Sequence, residues 1–280
     1  MAAGASAQSL FSRHPDIAEY WPVNKRPGGR HLTELWQRAA GRRWEAICDL
    51  KGSALPFLLR THRRYRYVKP RPGDRRHKVE IMSSVIGSPA LGPDLSQLDW
   101  PEIRLPQTGT DATLSVAIGA TAAWPAKIWP VERWAEVHDR MQSALGRPVR
   151  FVLFGAPGEE QIVTGLVREL GPAALDLVGR HSVVETGALM RACALFAGND
   201  SGLMHLAAAA GIPTLGLFGH TDPAEYGPWG ALTAAVEPEG LLRTKRRENI
   251  LPDEAATMIR RIEPSQVSAA MMSLIGEHAS

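Results

Sequence analysis

The chain has 280 residues, is 44% hydrophobic and 22% charged, and carries a formal net charge of +3. That balance describes an ordinary globular protein, long enough for two modest domains, and excludes collagen-like or low-complexity classes. No apolar run approaches the ~20 residues of a membrane span, the N-terminus lacks the basic-then-apolar pattern of a signal peptide, and Cys48 and Cys193 read as buried free thiols of a cytosolic protein rather than a disulfide or metal framework.

In chain order, Met1–Phe11 is small and polar. Leu32, Leu35, Trp36 and Ala39 fall at i, i+3, i+4 and i+7, so an amphipathic helix is expected from about Thr33. A strand is expected over 44–50 and helices over 52–60 and 74–86. The stretch from Arg60 to Lys78 holds nine Lys or Arg and one acid, Asp74. It reads either as a solvated face or as a patch for an anionic partner. Tyr65 and Tyr67 among the arginines also permit a nucleic-acid reading, ranked lower because Tyr65, Tyr67 and Val68 equally suit a half-buried strand. A second basic cluster spans Arg243–Arg247. Pro and Gly crowd 89–109, which reads as an interdomain linker. From Leu114 strands and helices alternate: strands at 114–118, 149–154, 175–178 and 194–197, helices at 131–145, 159–170 and 183–191. Alternation at this spacing predicts a parallel, doubly wound sheet. Trp134, Val137, Met141 and Ala144 mark the apolar face of the helix after Pro130.

The segment Phe196–Gly230 is the most informative. An apolar strand breaks at Asn199-Asp200-Ser201-Gly202, and Leu203–Ala210 then reads as a helix stopped by Gly211 and Pro213. Asp200 or Ser201 is the expected N-cap. Free N–H groups at that helix start suit a phosphate, Gly202 permits close approach, and His205 lies within reach of the same anion. Thr214–Phe218 is the next strand, and the Gly/Pro-dense loop after it would line the same crevice.

The run D-S-G-L-M-H-L-A-A-A-x-G-x-P-T-x-x-L-F-G-x-T-D-P-x-x-x-G-P-W-G, from Asp200 to Gly230, resembles the C-terminal signature of the ADP-heptose:lipopolysaccharide heptosyltransferases, glycosyltransferase family 9. Ile118–Thr121 with Ala126–Pro130 and Trp134, Phe151–Glu160, and Met258–Val267 resemble further segments of that family; Arg13–Ile17, Asp49–Ser53 and Arg75–His77 match more loosely. The resemblance implies a GT-B architecture of two Rossmann-like domains: an N-terminal acceptor-side domain over 1–107, a nucleotide-sugar-binding domain over 108–262, and a closing helix over 263–280 packing back toward the first domain. It also implies a family opening, a strand with a Gly-Asp turn carrying the catalytic base, that Met1–Phe11 does not match. The expectation is therefore an incomplete first domain, short of a strand–helix–strand of roughly 40 residues, with the general base unknown. Asp49, at a strand end, is the weak substitute, better read as a cap.

The chemistry implied is inverting transfer of heptose from an ADP-sugar to an anionic, lipid-linked saccharide of the lipopolysaccharide core. A departing diphosphate needs fixed positive charge and N–H donors. Lys127 would stabilise the leaving group, with Thr121, Ser201, Gly202, Leu203 and His205 around the phosphates. Asp200 would hold sugar hydroxyls. Glu159 would accept the ribose hydroxyls, with Glu160 as its alternative. No cofactor is expected, and Asp200 with Asp222 forms no recognised metal set. Arg60–Lys78 would give peripheral contact with the cytoplasmic membrane face. Two rivals remain: a binding-only relative lacking the base, and a GT-B enzyme with another donor or acceptor.

Overall fold

The computed structural model describes residues 1–71, 73–88, 98–106, 113–241 and 250–279. The chain divides into two compact units, Met1–Leu91 and Gly92–Ser280. The basic cluster Arg243–Arg247 and much of the expected linker lie outside the described residues.

In the first unit, β1 (Ala2–Ala3) pairs in parallel with β2 (Trp21–Pro22), with the short helix α1 (Gln8–Phe11) between them. Gly28 and Gly29, at φ of 67° and 73°, turn the chain into α2 (Arg30–Ala39), a conformation glycine adopts without strain. Only half of the expected apolar stripe of α2 is covered. Leu35 and Ala39 pack with Trp21, Trp44 and Leu59, whereas Leu32 and Trp36 remain exposed. The indole N–H of Trp36 donates to the Leu58 carbonyl at 3.1 Å.

Next, β3 (Arg43–Asp49) pairs in parallel with β4 (Arg60–Arg66), in register from Arg43 opposite Arg60 to Asp49 opposite Arg66. The helix expected over 52–60 is reduced to a single 3-10 turn, Leu55–Leu58. Two arginines of β4 explain the change. Arg64 donates to the carbonyls of Pro56 and Leu59, and Arg66 to those of Gly52 and Ser53. The loop's carbonyls thus find partners without a helix. Cys48, expected to be buried, is exposed on β3, because a two-stranded sheet here is not covered on both faces. Helix α3 (Lys78–Ser84) is shorter than expected; a capping box of His77 and Glu80 starts it. Just before it, the Arg76 side chain and backbone amide hold the Asp74 carboxyl at about 2.

The second unit carries the alternation. Its parallel strands are β5 (Leu114–Gly119), β6 (Val149–Leu153), β7 (Ala174–Asp176), β8 (Phe196–Asn199), β9 (Thr214–Leu217) and β10 (Thr233–Val236). They lie in the order β10-β9-β8-β5-β6-β7. The helices are α4 (Arg133–Leu145), α5 (Glu160–Leu170), α6 (Val183–Met190), α7 (Gly202–Ala209), the single turn α8 (Pro223–Tyr226), α9 (Pro252–Ile259) and α10 (Pro264–Ala279). The strands are apolar runs because helices cover both faces. Trp134, Val137 and Met141 of α4 enter the core beside Trp129 and Phe151, as the periodicity requires; Ala144 stays exposed one turn further on.

The expected boundary after 107 falls outside the described residues, and the 98–106 stretch is fastened to the second unit. Leu98 is buried, the Arg191 guanidinium lies 5.6 Å from the Trp100 ring centre, and Arg150 donates to the Pro106 carbonyl at 2.9 Å. The buried residues Val267, Met271 and Leu274 of the closing helix α10 join the core of its own unit, on α4 and beside β9 and β10.

Candidate functional site

The strand order places β5 beside β8, although 76 positions separate Ala197 of one from Thr121 just past the other. This is the topological switch point of a doubly wound sheet, where successive connections leave in opposite directions and open a crevice at the carboxyl ends of the strands. Glycine makes the junction tight. A Cβ at Gly198 would lie 2.7 Å from the Gly119 carbonyl oxygen, and one at Gly119 would strike the Phe196 ring. Thr121, Lys127 and Asp200–Leu203 leave the sheet at this point.

Their geometry is specific. Lys127 ends a 3-10 turn, Pro125–Lys127, and its Nζ lies 2.5 Å from Asp200 Oδ2. Both side chains are largely removed from water, at 14% and 7% exposure. The Thr221 hydroxyl donates to the same Asp200 oxygen at 2.7 Å, bringing in the loop after β9. Thr121 is 1% exposed and its hydroxyl has no hydrogen-bond partner among the described residues; the Ser201 hydroxyl is likewise buried and without a partner among them. Ser201 is the N-cap residue of α7, yet no side chain caps the helix. Asp200 is therefore not the cap the sequence allowed: its carboxylate is turned to Lys127 and Thr221. The N–H groups of Gly202 and Leu203 are left at an uncapped helix start, with the positive end of the helix dipole. A Cβ at Gly202 would meet nothing within 4 Å, so packing within the protein does not demand glycine there.

A neighbouring wall forms at the end of β6. A Cβ on Gly155 would lie 3.0 Å from the Thr121 hydroxyl and 3.2 Å from Glu159 Oε2, so Thr121 and Glu159 line one small space. Glu159 Oε2 accepts the Ala156 N–H at 2.8 Å. Glu160, the alternative, is directed elsewhere. Its Oε1 accepts the Gly158 N–H at 3.1 Å and packs against Gly179, and backbone hydrogen bonds lower its carboxyl below the usual range. Glu160 thus holds the 156–158 turn, and Glu159 is the carboxylate beside Thr121.

Two residues of importance were not singled out by sequence. Asn199 ends β8, fully buried, and its side chain accepts the Trp129 N–H at 3.0 Å and donates to the Thr121 carbonyl at 3.4 Å. Its position immediately before Asp200 is the only sequence signal it offered. Arg133 donates to the Arg260 and Ile262 carbonyls at 2.9 and 2.6 Å, and the Trp129 indole donates to Ile262 at 3.0 Å. The segment that follows Lys127 is thereby anchored to the turn between α9 and α10.

His205 lies on α7 and is exposed. Asp49 Oδ1 accepts the Lys51 N–H, and its Oδ2 accepts the Ser53 N–H and hydroxyl at 2.6 and 2.7 Å. That carboxylate closes the turn after β3, the cap role already favoured. Within Arg60–Lys78, Arg64 and Arg66 donate to carbonyls of their own loop and Arg76 pairs with Asp74, and all four arginines of β4 are exposed. Among the described residues no group of three or more His, Cys, Asp or Glu is arranged to hold a metal ion, and no helix is long and apolar enough to cross a membrane.

Comparison with known proteins gives a consistent picture. The sequence model described as glycosyltransferase family 9 (heptosyltransferase) matches residues 78–253. Lipooligosaccharide heptosyltransferase 2 of Haemophilus influenzae is 34% identical over 108 residues, 37% of this chain, and the match spans 30% of that relative's length. Among solved structures, ADP-heptose lps heptosyltransferase II of E. coli superposes with a TM-score of 0.69 at 20% identity, covering 100% of this chain and 89% of that one. The glycosyl transferase family 9 protein of Veillonella parvula gives a TM-score of 0.76 at 22% identity, covering 99% and 88%. The α/β fold with parallel sheets is shared with these structures.

Proposed function

The chain belongs to glycosyltransferase family 9 (heptosyltransferase), and from that premise we propose that it transfers heptose from ADP-heptose to a lipopolysaccharide core acceptor, with inversion at the anomeric carbon. One observation carries the reading. At the switch point a lysine ammonium, two buried hydroxyls that have no partner among the described residues and a helix start with no side-chain cap are carried by the segments that follow two adjacent strands. Buried hydroxyls without partners cost free energy unless a ligand satisfies them. Donors and positive charge of this kind select a phosphate group.

In the proposed reaction an acceptor hydroxyl attacks the anomeric carbon from the face opposite the ADP. Its O–C bond forms as the bond to the diphosphate oxygen breaks, the electron pair leaves on the diphosphate, and the hydroxyl proton is lost to water. Lys127, Thr121, Ser201 and the N–H groups of Gly202 and Leu203 take up that charge, which grows in the transition state. Asp200, released from Lys127 when the diphosphate arrives, is available to accept from heptose hydroxyls. Glu159 takes the ribose hydroxyls through its second oxygen. The proposal assigns no metal or other cofactor. It assigns the general base to no residue of this chain; the tied carboxylate of Asp49 favours, as a second reading, a chain that binds donor without turnover. The proposed setting is the cytoplasm, with peripheral contact at the membrane face. The exposed arginines of β4, among them Arg66 lying 6.0 Å from the ring centre of the well-exposed Phe57, support that contact for an anionic lipid-linked acceptor; nucleic acid is not proposed.

Calorimetry with ADP and ADP-heptose, followed by ADP release in the presence of deacylated core saccharide, tests both readings. Donor binding with acceptor-dependent ADP release supports transfer. Binding without release supports the second reading, and no binding of either nucleotide overturns the donor-site assignment.

A further inference from the structure

We infer that Asn199 is a positioning residue of the proposed donor site: its single amide sets the distance between the three segments that carry Thr121, Lys127 and Ser201. The inference rests on the donor-site reading. Asn199 is fully buried at the end of β8, where the chain turns into α7. Its Oδ1 accepts the backbone N–H of Trp129, two residues after Lys127, at 3.0 Å. Its Nδ2 donates to the carbonyl of Thr121, the residue whose hydroxyl faces the crevice, at 3.4 Å. The amide therefore spans the loop after β5, the lysine turn and the start of α7.

The chemistry selects asparagine. One planar group must accept on one side and donate on the other, only ~2.3 Å apart, in a buried place where water cannot substitute. Aspartate keeps the acceptor for Trp129 but presents an oxygen to the Thr121 carbonyl and adds a charge beside Asp200. Leucine keeps the shape and removes both bonds, leaving a buried N–H and a buried carbonyl unmatched. Among the described residues no other side chain bonds both of the amide's partners, and the lysine turn is also anchored through Trp129 and Arg133 to the Ile262 carbonyl. Loss of the amide thus frees the Thr121 side of the cradle while the second anchor holds the fold.

The test compares wild type, Asn199→Leu and Asn199→Asp in the full chain. Two readouts are used: ADP affinity by calorimetry at least 15 °C below each variant's melting midpoint, and residue-resolved hydrogen exchange of the Trp129 amide. Both variants are expected to weaken ADP roughly tenfold or more, the size of one misplaced charge-assisted contact. Trp129 exchange is expected to accelerate in Asn199→Leu and to stay near wild type in Asn199→Asp. A purely structural asparagine lowers the melting midpoint and leaves ADP affinity of the folded variants within twofold of wild type; that result overturns the inference. If wild type itself fails to bind ADP, the donor-site reading falls, while Trp129 exchange unchanged in Asn199→Leu separately overturns the clamp. Should Asn199→Leu not fold, Asn199→Asp alone decides by its affinity.

Discussion

The Lys127–Asp200 pair offers the sharpest quantitative test. Its atoms are 2.5 Å apart, on segments 73 residues apart in sequence, and neither side chain is more than 14% exposed. At that separation the gross attraction at an effective dielectric constant of about 20 is ~6–7 kcal/mol, most of which is offset by taking both charges out of water. Removing one partner is a different matter, because it leaves the other charge buried. Lys127→Met leaves Asp200, 7% exposed, with the Thr221 hydroxyl, and should cost ~3 kcal/mol. Asp200→Asn leaves an ammonium on a long stem that can reach water, and should cost ~2 kcal/mol. The double variant has no unpaired charge and should cost no more than either single change, giving a coupling of ~3 kcal/mol. Hydrogen exchange of the β5 and β8 amides is the suitable assay, since it reads the second unit without requiring the whole chain to unfold in one step. A coupling below ~0.5 kcal/mol would show that the pair is not formed in solution, and would remove the argument that Asp200 is held in reserve by Lys127. The same variants bear on function: Lys127→Met should weaken ADP, and Asp200→Asn, by removing a competing carboxylate, should strengthen it several-fold.

Thr121→Val removes a buried hydroxyl that has no partner among the described residues; the melting midpoint should hold or rise, while ADP affinity drops about tenfold, or ~1.4 kcal/mol, and unchanged affinity would sink the phosphate role of Thr121. Gly198→Ala forces a Cβ to 2.7 Å from the Gly119 carbonyl, so a loss of ~2–4 kcal/mol or insoluble expression is expected, read by the yield and exchange rates of the second unit. Thiol reagents at pH 8 should label exposed Cys48 in the native protein, slowed because partial burial and Asp49 raise its thiol, and Cys193 only after unfolding. Burial pushes the Cys193 thiol up to about 12, so its reactive thiolate is scarce throughout the range in which the protein is handled, and raising the pH to 9 should not expose it. Labelling of both thiols in the native protein would contradict the buried placement. Arg133→Ala removes donors to the Arg260 and Ile262 carbonyls and should loosen α9 and α10 by ~1–2 kcal/mol, visible as faster exchange over 252–279.

The amino-acid sequence alone determined the alternation of the second unit, the helix after Pro130 and the strand–turn–helix around Asp200. These are legible because a strand, a helix stripe and a glycine turn are each written in a few adjacent residues. It also showed the basic character of 60–78, but not which of those arginines bond backbone. Arg64 and Arg66 donate to carbonyls of their own loop, a partnership that periodicity does not encode. The family resemblance put Glu159 first with Glu160 as its alternative, and the backbone gives the two different surroundings: Glu160 holds the 156–158 turn, Glu159 stands beside Thr121. Cys48 looked buried because its neighbours are apolar, yet exposure depends on what covers the sheet. Above all, only the tertiary structure decided that Thr121, Lys127, Asn199 and Asp200 meet, because strand order sets which carboxyl ends are adjacent and strand order is not a local property of the chain.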